Sequence, residues 1–174
     1  GVFWQYRLIR SGVVATPLTG TWQLAPEAGA LGIGPSLGDI SFFNCDADCV
    51  TLRACYYDDA YVFGSDGSFQ NIQGSETWTE GWQGGGDSCG TPVAPHDGSN
   101  PATYSYDATA GTFTLNGVGA YVGLAKVFNG GELTSPGDAP DTIVYNVDFI
   151  DSNTISVYID IGGGTFWQYK LVKI

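Results

Sequence analysis

The sequence predicts an all-β domain, an antiparallel up-and-down meander closed into a barrel or flattened into a sandwich. Three observations predict it. Helical periodicity is scarce and period-2 alternation is frequent. Turn signals separate the alternating segments into successive hairpins. The chain of 174 residues holds 26 Gly, 10 Tyr, 9 Phe and 5 Trp, a composition suited to short strands, tight turns and an aromatic core.

The elements follow in order. Residues 3–10 alternate, with Trp4, Tyr6 and Leu8 on one side and Gln5 and Arg7 on the other. Residues 11–19, with Pro17, read as a linker, and Gly20-Thr21-Trp22 opens a single domain over 20–174. Gly29 to Gly38 is too rich in glycine for a helix and reads as a loop. Ile40 to Phe43 is a short strand. Tyr61 to Phe69 is a hairpin, because Asp66-Gly67 supplies the positive φ a tight turn requires. Tyr104–Tyr106 and Thr112–Leu115 form a second hairpin around Asp107–Gly111. Thr142–Ile150 and Thr154–Ile161 form a third around Asp151-Ser-Asn153. Its apolar faces are Ile143, Tyr145, Val147 and Phe149 against Ile155, Val157, Ile159 and Ile161. Thr165 to Lys173 is the last strand.

That last strand occurs twice. Gly1-Val-Phe-Trp-Gln-Tyr-Arg-Leu-Ile-Arg10 matches Gly164-Thr-Phe-Trp-Gln-Tyr-Lys-Leu-Val-Lys173 at six of ten positions, offset by 163, and the other four are conservative or nearly so. Three arrangements would produce it. Residues 1–10 are the last strand of a preceding copy in a tandem array, or they dock into a neighbour's fold by strand exchange, or the chain is a two-fold internal repeat. The first two make Phe3, Trp4, Tyr6, Arg7 and Arg10, with Phe166, Trp167, Tyr169, Lys170 and Lys173, an assembly strand. Neighbouring copies of the same domain are then its partners.

Charge follows the same division. The net charge is −12, from 6 Lys+Arg and 18 Asp+Glu. All eighteen acids lie between Glu27 and Asp160, with only Arg53 and Lys126 among them; residues 11–163 carry −16 and the two ends together +4. So acidic a body excludes a nucleic-acid binder, which needs cations to displace phosphate counterions. No apolar run reaches the length of a membrane span.

Four cysteines, Cys45, Cys49, Cys55 and Cys89, point to an oxidising compartment. They allow three pairings. Cys45–Cys49 around Asp46-Ala-Asp48, with Cys55–Cys89 closing a larger loop, is preferred. The alternative, a Cys₄ zinc site, lacks the usual Cys-x-x-Cys spacing.

For chemistry there is one histidine, His96, in Ala94-Pro-His-Asp97-Gly98, and a triad would need a base there. It reads instead as a loop anchor. On a strand Glu76 and Glu80 would lie about 13 Å apart at roughly 3.3 Å per residue, too far for a glycosidase pair, and the Glu-x-Asp-x-x-Glu pattern of laminarinase-type hydrolases is absent. The chain therefore reads as a non-enzyme. In Glu76-Thr-Trp78-Thr-Glu80-Gly-Trp82 an extended backbone would put Glu76, Trp78, Glu80 and Trp82 on one face. Indole faces stack on sugar C–H groups and carboxylates accept from hydroxyls, so this is a candidate polysaccharide platform. The same alternation also suits a β core, where Trp4, Trp22 and Trp167 belong. The loop acids Asp46, Asp48, Asp58, Asp59, Asp87, Asp97, Asp138 and Asp141 offer the oxygen ligands Ca²⁺ prefers, without EF-hand spacing: Thr51 and Tyr57 stand where Gly and Glu are needed. No metal ligand is assigned.

Gly20-Thr21-Trp22, the Asp66-Gly67 hairpin and Tyr169-Lys-Leu-Val-Lys173 resemble lipocalin-like domains of secreted bacterial proteins. Leu24-Ala-Pro-Glu-Ala-Gly-Ala30, Glu80-Gly-Trp-Gln-Gly84, Pro92-Val-Ala-Pro-His-Asp-Gly98 and Gly131-Glu-Leu-Thr-Ser-Pro136 are similar to a repeat domain of large secreted or surface proteins of marine Bacteroidetes. Those domains often stand beside glycan-degrading or glycan-binding modules, and the likeness covers most of residues 19–173. Paired Trp often occupy the positions of Phe42-Phe43 there, and Cys45 and Cys49 look like an addition. The resemblance implies a lipocalin-like, non-catalytic, secreted or cell-surface domain that binds glycan. The alternative is a structural repeat of an extracellular fibre or adhesin, assembled through the duplicated strand.

Overall fold

The computed structural model describes residues 15–174. Its strands are β1 (Gly20–Leu24), β2 (Leu31–Gly34), β3 (Phe43–Asn44), β4 (Ala60–Phe63), β5 (Ser68–Ile72), β6 (Thr77–Thr79), β7 (Ser88–Gly90), β8 (Ala102–Asp107), β9 (Thr112–Asn116), β10 (Val127–Phe128), β11 (Gly131–Glu132), β12 (Thr142–Phe149), β13 (Thr154–Asp160) and β14 (Phe166–Lys173). Two short helices, α1 (Ala47–Leu52) and α2 (Ala54–Tyr57), precede β4.

Eight strands, β1, β4, β5, β8, β9, β12, β13 and β14, pair antiparallel in that order, and β14 returns to β1. The fold is an eight-stranded closed barrel of lipocalin-like meander type, not a sandwich. Closure is made along both edges of β14. One edge runs beside β13 from Thr154↔Val172 to Asp160↔Phe166. The other is shared: β1 takes Leu24↔Leu171 and β2 takes Leu31↔Tyr169. Between them the chain loops out, and Lys170 spans the gap, its C=O accepting from Ala25 N at 2.8 Å and its N–H donating to Ala30 O at 2.7 Å. Both backbone groups of Lys170 are thereby bonded across the gap.

The hairpin faces are as the alternation predicts. Ile143, Tyr145, Val147, Ile155, Val157 and Ile159 are buried, with Trp22, Tyr61, Phe63, Phe113, Tyr169 and Leu171. Phe149 departs, being exposed at the strand end, and so does Ile161, half-buried just past the end of β13 at Asp160. Gly67 has φ +85° in the Asp66-Gly67 turn, where Asp66 accepts from Ser68 N and Oγ.

Three expectations need correction. The glycine-rich Gly29–Gly38 segment contains β2. Gly32 and Gly34 are there for close approach, because a Cβ on Gly32 would overlap Ile40 and one on Gly34 would overlap the Asp39 backbone. The strand expected at Ile40–Phe43 is only Phe43–Asn44. And Leu18 is fully buried in the segment read as a linker, with its carbonyl accepting from Trp22 Nε1 at 2.7 Å. Thr16 and Thr19 both bond the Tyr104 hydroxyl, so the packed body takes in Thr16–Thr19. Trp4 and the rest of residues 1–10 lie outside the described residues.

Both disulfides join the expected partners. Cys45–Cys49 ties the chain leaving β3 to α1, whose N-cap Asp46 accepts from Cys49 N at 2.9 Å. Cys55–Cys89 ties α2 to β7. All four thiols are thereby used.

The barrel interior is plugged. Residues 117–125 contact inward side chains from four strands. Tyr61 Oη on β4 accepts from Gly123 N, Tyr145 Oη on β12 accepts from Val122 N at 3.0 Å, and Asn71 Nδ2 on β5 donates to Tyr121 O at 2.8 Å. Gly123, at φ +84°, lies flat on the Tyr169 ring of β14, where a Cβ would overlap ring carbons. Gly123→Ala is therefore expected to destabilise the barrel by more than about 1 kcal/mol in urea unfolding. Gly81→Ala, with open space around it, should stay within about 0.5 kcal/mol. Equal effects would contradict the plug.

Candidate functional site

With the interior filled, the residues expected to form a site are sought on the outside of the barrel. The predicted four-residue platform does not form as a strand face. The extended run ends at Thr79, and Glu80 caps a 3₁₀ turn, Gly81–Gln83, with a reciprocal capping box to Gln83. Trp78 is only 7% exposed and packs inward, with the Arg53 guanidinium 4.4 Å from its ring centroid. Glu76 is exposed beside a groove lined by Cys55, Asp58, Gln73 and Gly74. Glu80 and Trp82 turn elsewhere.

Where they go is the more informative arrangement. Trp82 Nε1 donates to Glu80 Oε2 at 3.2 Å, and Lys126 Nζ lies 3.6 Å from that same oxygen. Lys126 Nζ is also 3.3 Å from Glu132 Oε2, whose other oxygen accepts from Trp167 Nε1 at 2.7 Å. Lys126 stands 5.5 Å from the Trp167 ring centroid, and Trp167 meets Phe43 edge-on at 6.3 Å. The result is a continuous array, Trp82–Glu80–Lys126–Glu132–Trp167–Phe43. Each carboxylate bridges the one ammonium and one indole, which fixes its orientation.

β2 and β3 set the open end of the array. Pairing of Phe43 with Ile33 holds β3 at the edge, and Phe42 donates its N–H to Ile33 O. Phe42 is 62% exposed and Phe43 38%. A shallow depression lined by Leu37, Asp39, Ile40, Ser41 and Asn44 adjoins them. Asp39 is held by Ser41: the Ser41 hydroxyl first, and its N–H at 2.7 Å from Oδ1 second, keep that carboxyl below the usual range.

Lys126 and Glu132 were not legible as site residues, and Trp167 was expected only in the core and the assembly strand. Lys126 and Glu132 come from the loop after β9 and from β11, and only the fold brings them to Glu80. Phe42 and Phe43 were not named as site residues either; they stand where the resembling domains carry paired Trp. Both basic residues of the acidic body, Arg53 and Lys126, end on tryptophans, and Lys173 lies 5.1 Å from the Trp22 ring centroid. The acids are dispersed: among the described residues no group of three His, Cys, Asp or Glu is placed to hold a metal ion. Asp46 caps a helix, and Asp97 accepts from Ser99 N and Oγ in a turn.

His96 is buried between Trp82 and Tyr121, ring centroids 5.4 and 6.0 Å away. Burial lowers its pKa to about 4, against a small opposing pull from Asp97. Asp59, 2% exposed, accepts from Thr77 Oγ1 at 2.6 Å. Burial raises its pKa to about 8, with Asp58 adding to the rise and the Thr77 bond opposing it.

No model of a known protein family and no curated protein matches this chain. Among the described residues, no helix is long and apolar enough to cross a membrane.

The two buried groups give a pH signature. Between 3.8 and about 8 the folded chain keeps a proton on Asp59 that the unfolded chain has lost, so stability falls as pH rises. Between about 4 and 6.5 the unfolded chain protonates His96 and the folded chain does not, so stability rises with pH there and offsets Asp59. From pH 6.5 to about 8 Asp59 acts alone. Urea unfolding should lose at most about 1.4 kcal/mol per pH unit in that window, and Asp59→Asn should flatten the slope. An unchanged slope would contradict a protonated Asp59.

Proposed function

We propose that this chain is a non-catalytic extracellular domain of a surface or secreted multi-domain protein, and that it binds polysaccharide on the surface around Phe42 and Phe43. The observation that carries the reading is the exposed aromatic pair continuous with the Trp167–Glu132–Lys126–Glu80–Trp82 array. Exposed rings supply faces for sugar C–H groups. Asp39, Ser41 and Asn44 beside them, and the oriented carboxylates, supply acceptors and donors for hydroxyls. The plugged barrel supports an outer surface over an interior pocket, and two disulfides support an oxidising location. The resemblance to repeat domains of glycan-associated proteins points the same way. Trp78 leaves the proposed platform, and Trp82 and Glu80 stay as its inner support.

A second reading, a structural repeat of a fibre or adhesin, has its own observation, the duplicated closing strand. The two are compatible, since a fibre can display sugar-binding domains.

Titration calorimetry with soluble β-glucans and a wider polysaccharide panel tests the first. Saturable binding is expected, weakened about tenfold or more, a loss of roughly 1.4 kcal/mol or greater, by Phe42→Ala with Phe43→Ala. Leu52→Ala, an exposed apolar residue on α1, should leave it unchanged. No saturable binding across the panel, or binding indifferent to the Phe pair, would overturn the reading.

A further inference from the structure

The surface around Phe42 and Phe43 has a charge pattern of its own. Among the described residues every cation is already committed. Arg53 lies on the Trp78 ring and Lys173 on the Trp22 ring. Lys170 pairs with Glu27. Lys126, the ammonium of the array, is shared between Glu80 and Glu132 and stands over Trp167. None of the four is left to meet an incoming anion with a charge-assisted bond.

The acids are not matched in this way. Asp39 lies just before the aromatic pair, and Asp46 and Asp48 just after it, at the start of α1, which Cys45–Cys49 fastens to the end of β3. Glu27 belongs to the loop that the Gly29 N–H ties to Cys45 O at 2.9 Å. Together with Glu80 and Glu132 of the array, six carboxylates stand against two ammoniums, Lys126 and Lys170, which leaves a local charge of −4. Salt screens such a field only beyond about 8 Å at physiological ionic strength.

The hydrogen-bonding groups share this bias. Asp39 only accepts, and Ser41 turns both its hydroxyl and its N–H toward that carboxylate. Asn44 is the one side-chain amide lining the depression. A ligand must therefore bring donors of its own. A sugar hydroxyl donates as well as accepts, so it can meet a carboxylate. A uronate or sulfate oxygen only accepts, and would lose its water against groups that also only accept.

We propose that this surface selects uncharged polysaccharides and rejects chains that carry carboxylate or sulfate groups. The inference deepens the polysaccharide reading above and rests on it. Phe42 and Phe43 can stack on any sugar that presents a C–H face; the carboxylates around them decide which of those sugars approach. Selectivity of this kind comes from a repulsive element, separate from the contacts that give affinity. Asp46 is used in the α1 cap and Asp48 is exposed in its first turn, so both act at a distance, through charge alone.

Titration calorimetry with three forms of one soluble β-glucan tests it: the parent, its hydroxyethyl derivative and its carboxymethyl derivative. The two derivatives are similar in bulk, and only the second is charged. Parent and hydroxyethyl chains should bind alike, and the carboxymethyl chain at least about tenfold more weakly at low salt, a loss of roughly 1.4 kcal/mol. In about 1 M salt, where the screening length falls to about 3 Å, that penalty should largely vanish. Asp46→Asn with Asp48→Asn keeps the cap, since asparagine caps as well as aspartate, and halves the local charge to −2. The double variant should bind the parent chain unchanged and cut a tenfold penalty to about threefold, because halving the charge halves its logarithm. A carboxymethyl chain that binds as tightly as the parent would overturn the selectivity alone. So would a penalty that the hydroxyethyl chain shares, or one that neither salt nor the double variant moves, because bulk and not charge would then be responsible. Failure of all three chains, and of the wider panel, to bind would overturn the polysaccharide reading itself, and this inference with it.

Discussion

The structure depends on one requirement, that β14 be hydrogen-bonded along both edges. An open eight-stranded meander would leave two exposed edges; here a single strand removes both. Its second edge is divided between β1 and β2, and the Ala25–Ala30 excursion is possible because Lys170 offers both of its backbone groups to the excursion's ends. β2 in turn lies against Ile40 and Asp39 through glycines, and this close approach places β3, with Phe42 and Phe43, at the edge of the barrel. Closure and the candidate site are therefore linked through the same few residues.

Closing the barrel creates an interior, and the sequence fills it. Tyr61, Tyr145 and Asn71 turn polar atoms inward, where burial holds the tyrosine hydroxyls neutral by raising their pKa values. These groups are not lining for a ligand; they bind the backbone of residues 117–125, which would otherwise be buried without partners. Gly123 on the Tyr169 ring couples that plug to the closing strand. With these groups engaged, the interior is filled by the chain's own residues.

The legible part of the fold was the part governed by local rules. Period-2 alternation with its turn signals placed the β4–β5, β8–β9 and β12–β13 hairpins, and most of the inward faces of β12 and β13 followed from the same period. β2 was missed because its glycines answer a tertiary close approach, not a loop. The two helices are each too short for periodicity to register, and Asp46 and the disulfides hold them. The Glu76–Trp82 strand failed at Thr79, where Glu80 and Gln83 cap a turn; the capping residues were visible, but the alternation outweighed them. Lys126 meets Glu80 and Glu132 only in three dimensions. Net charge behaved similarly: −12 described an acidic body, while the function of its two cations became apparent only on the faces of Trp78 and Trp167.

Native-state hydrogen exchange on β14 tests the central claim most directly. If this strand closes the barrel, its amides from Gln168 to Val172 open only with the whole fold and exchange as slowly as those of β13. Exchange at loop-like rates in β14, while β1 and β13 stay protected, would contradict closure by this strand.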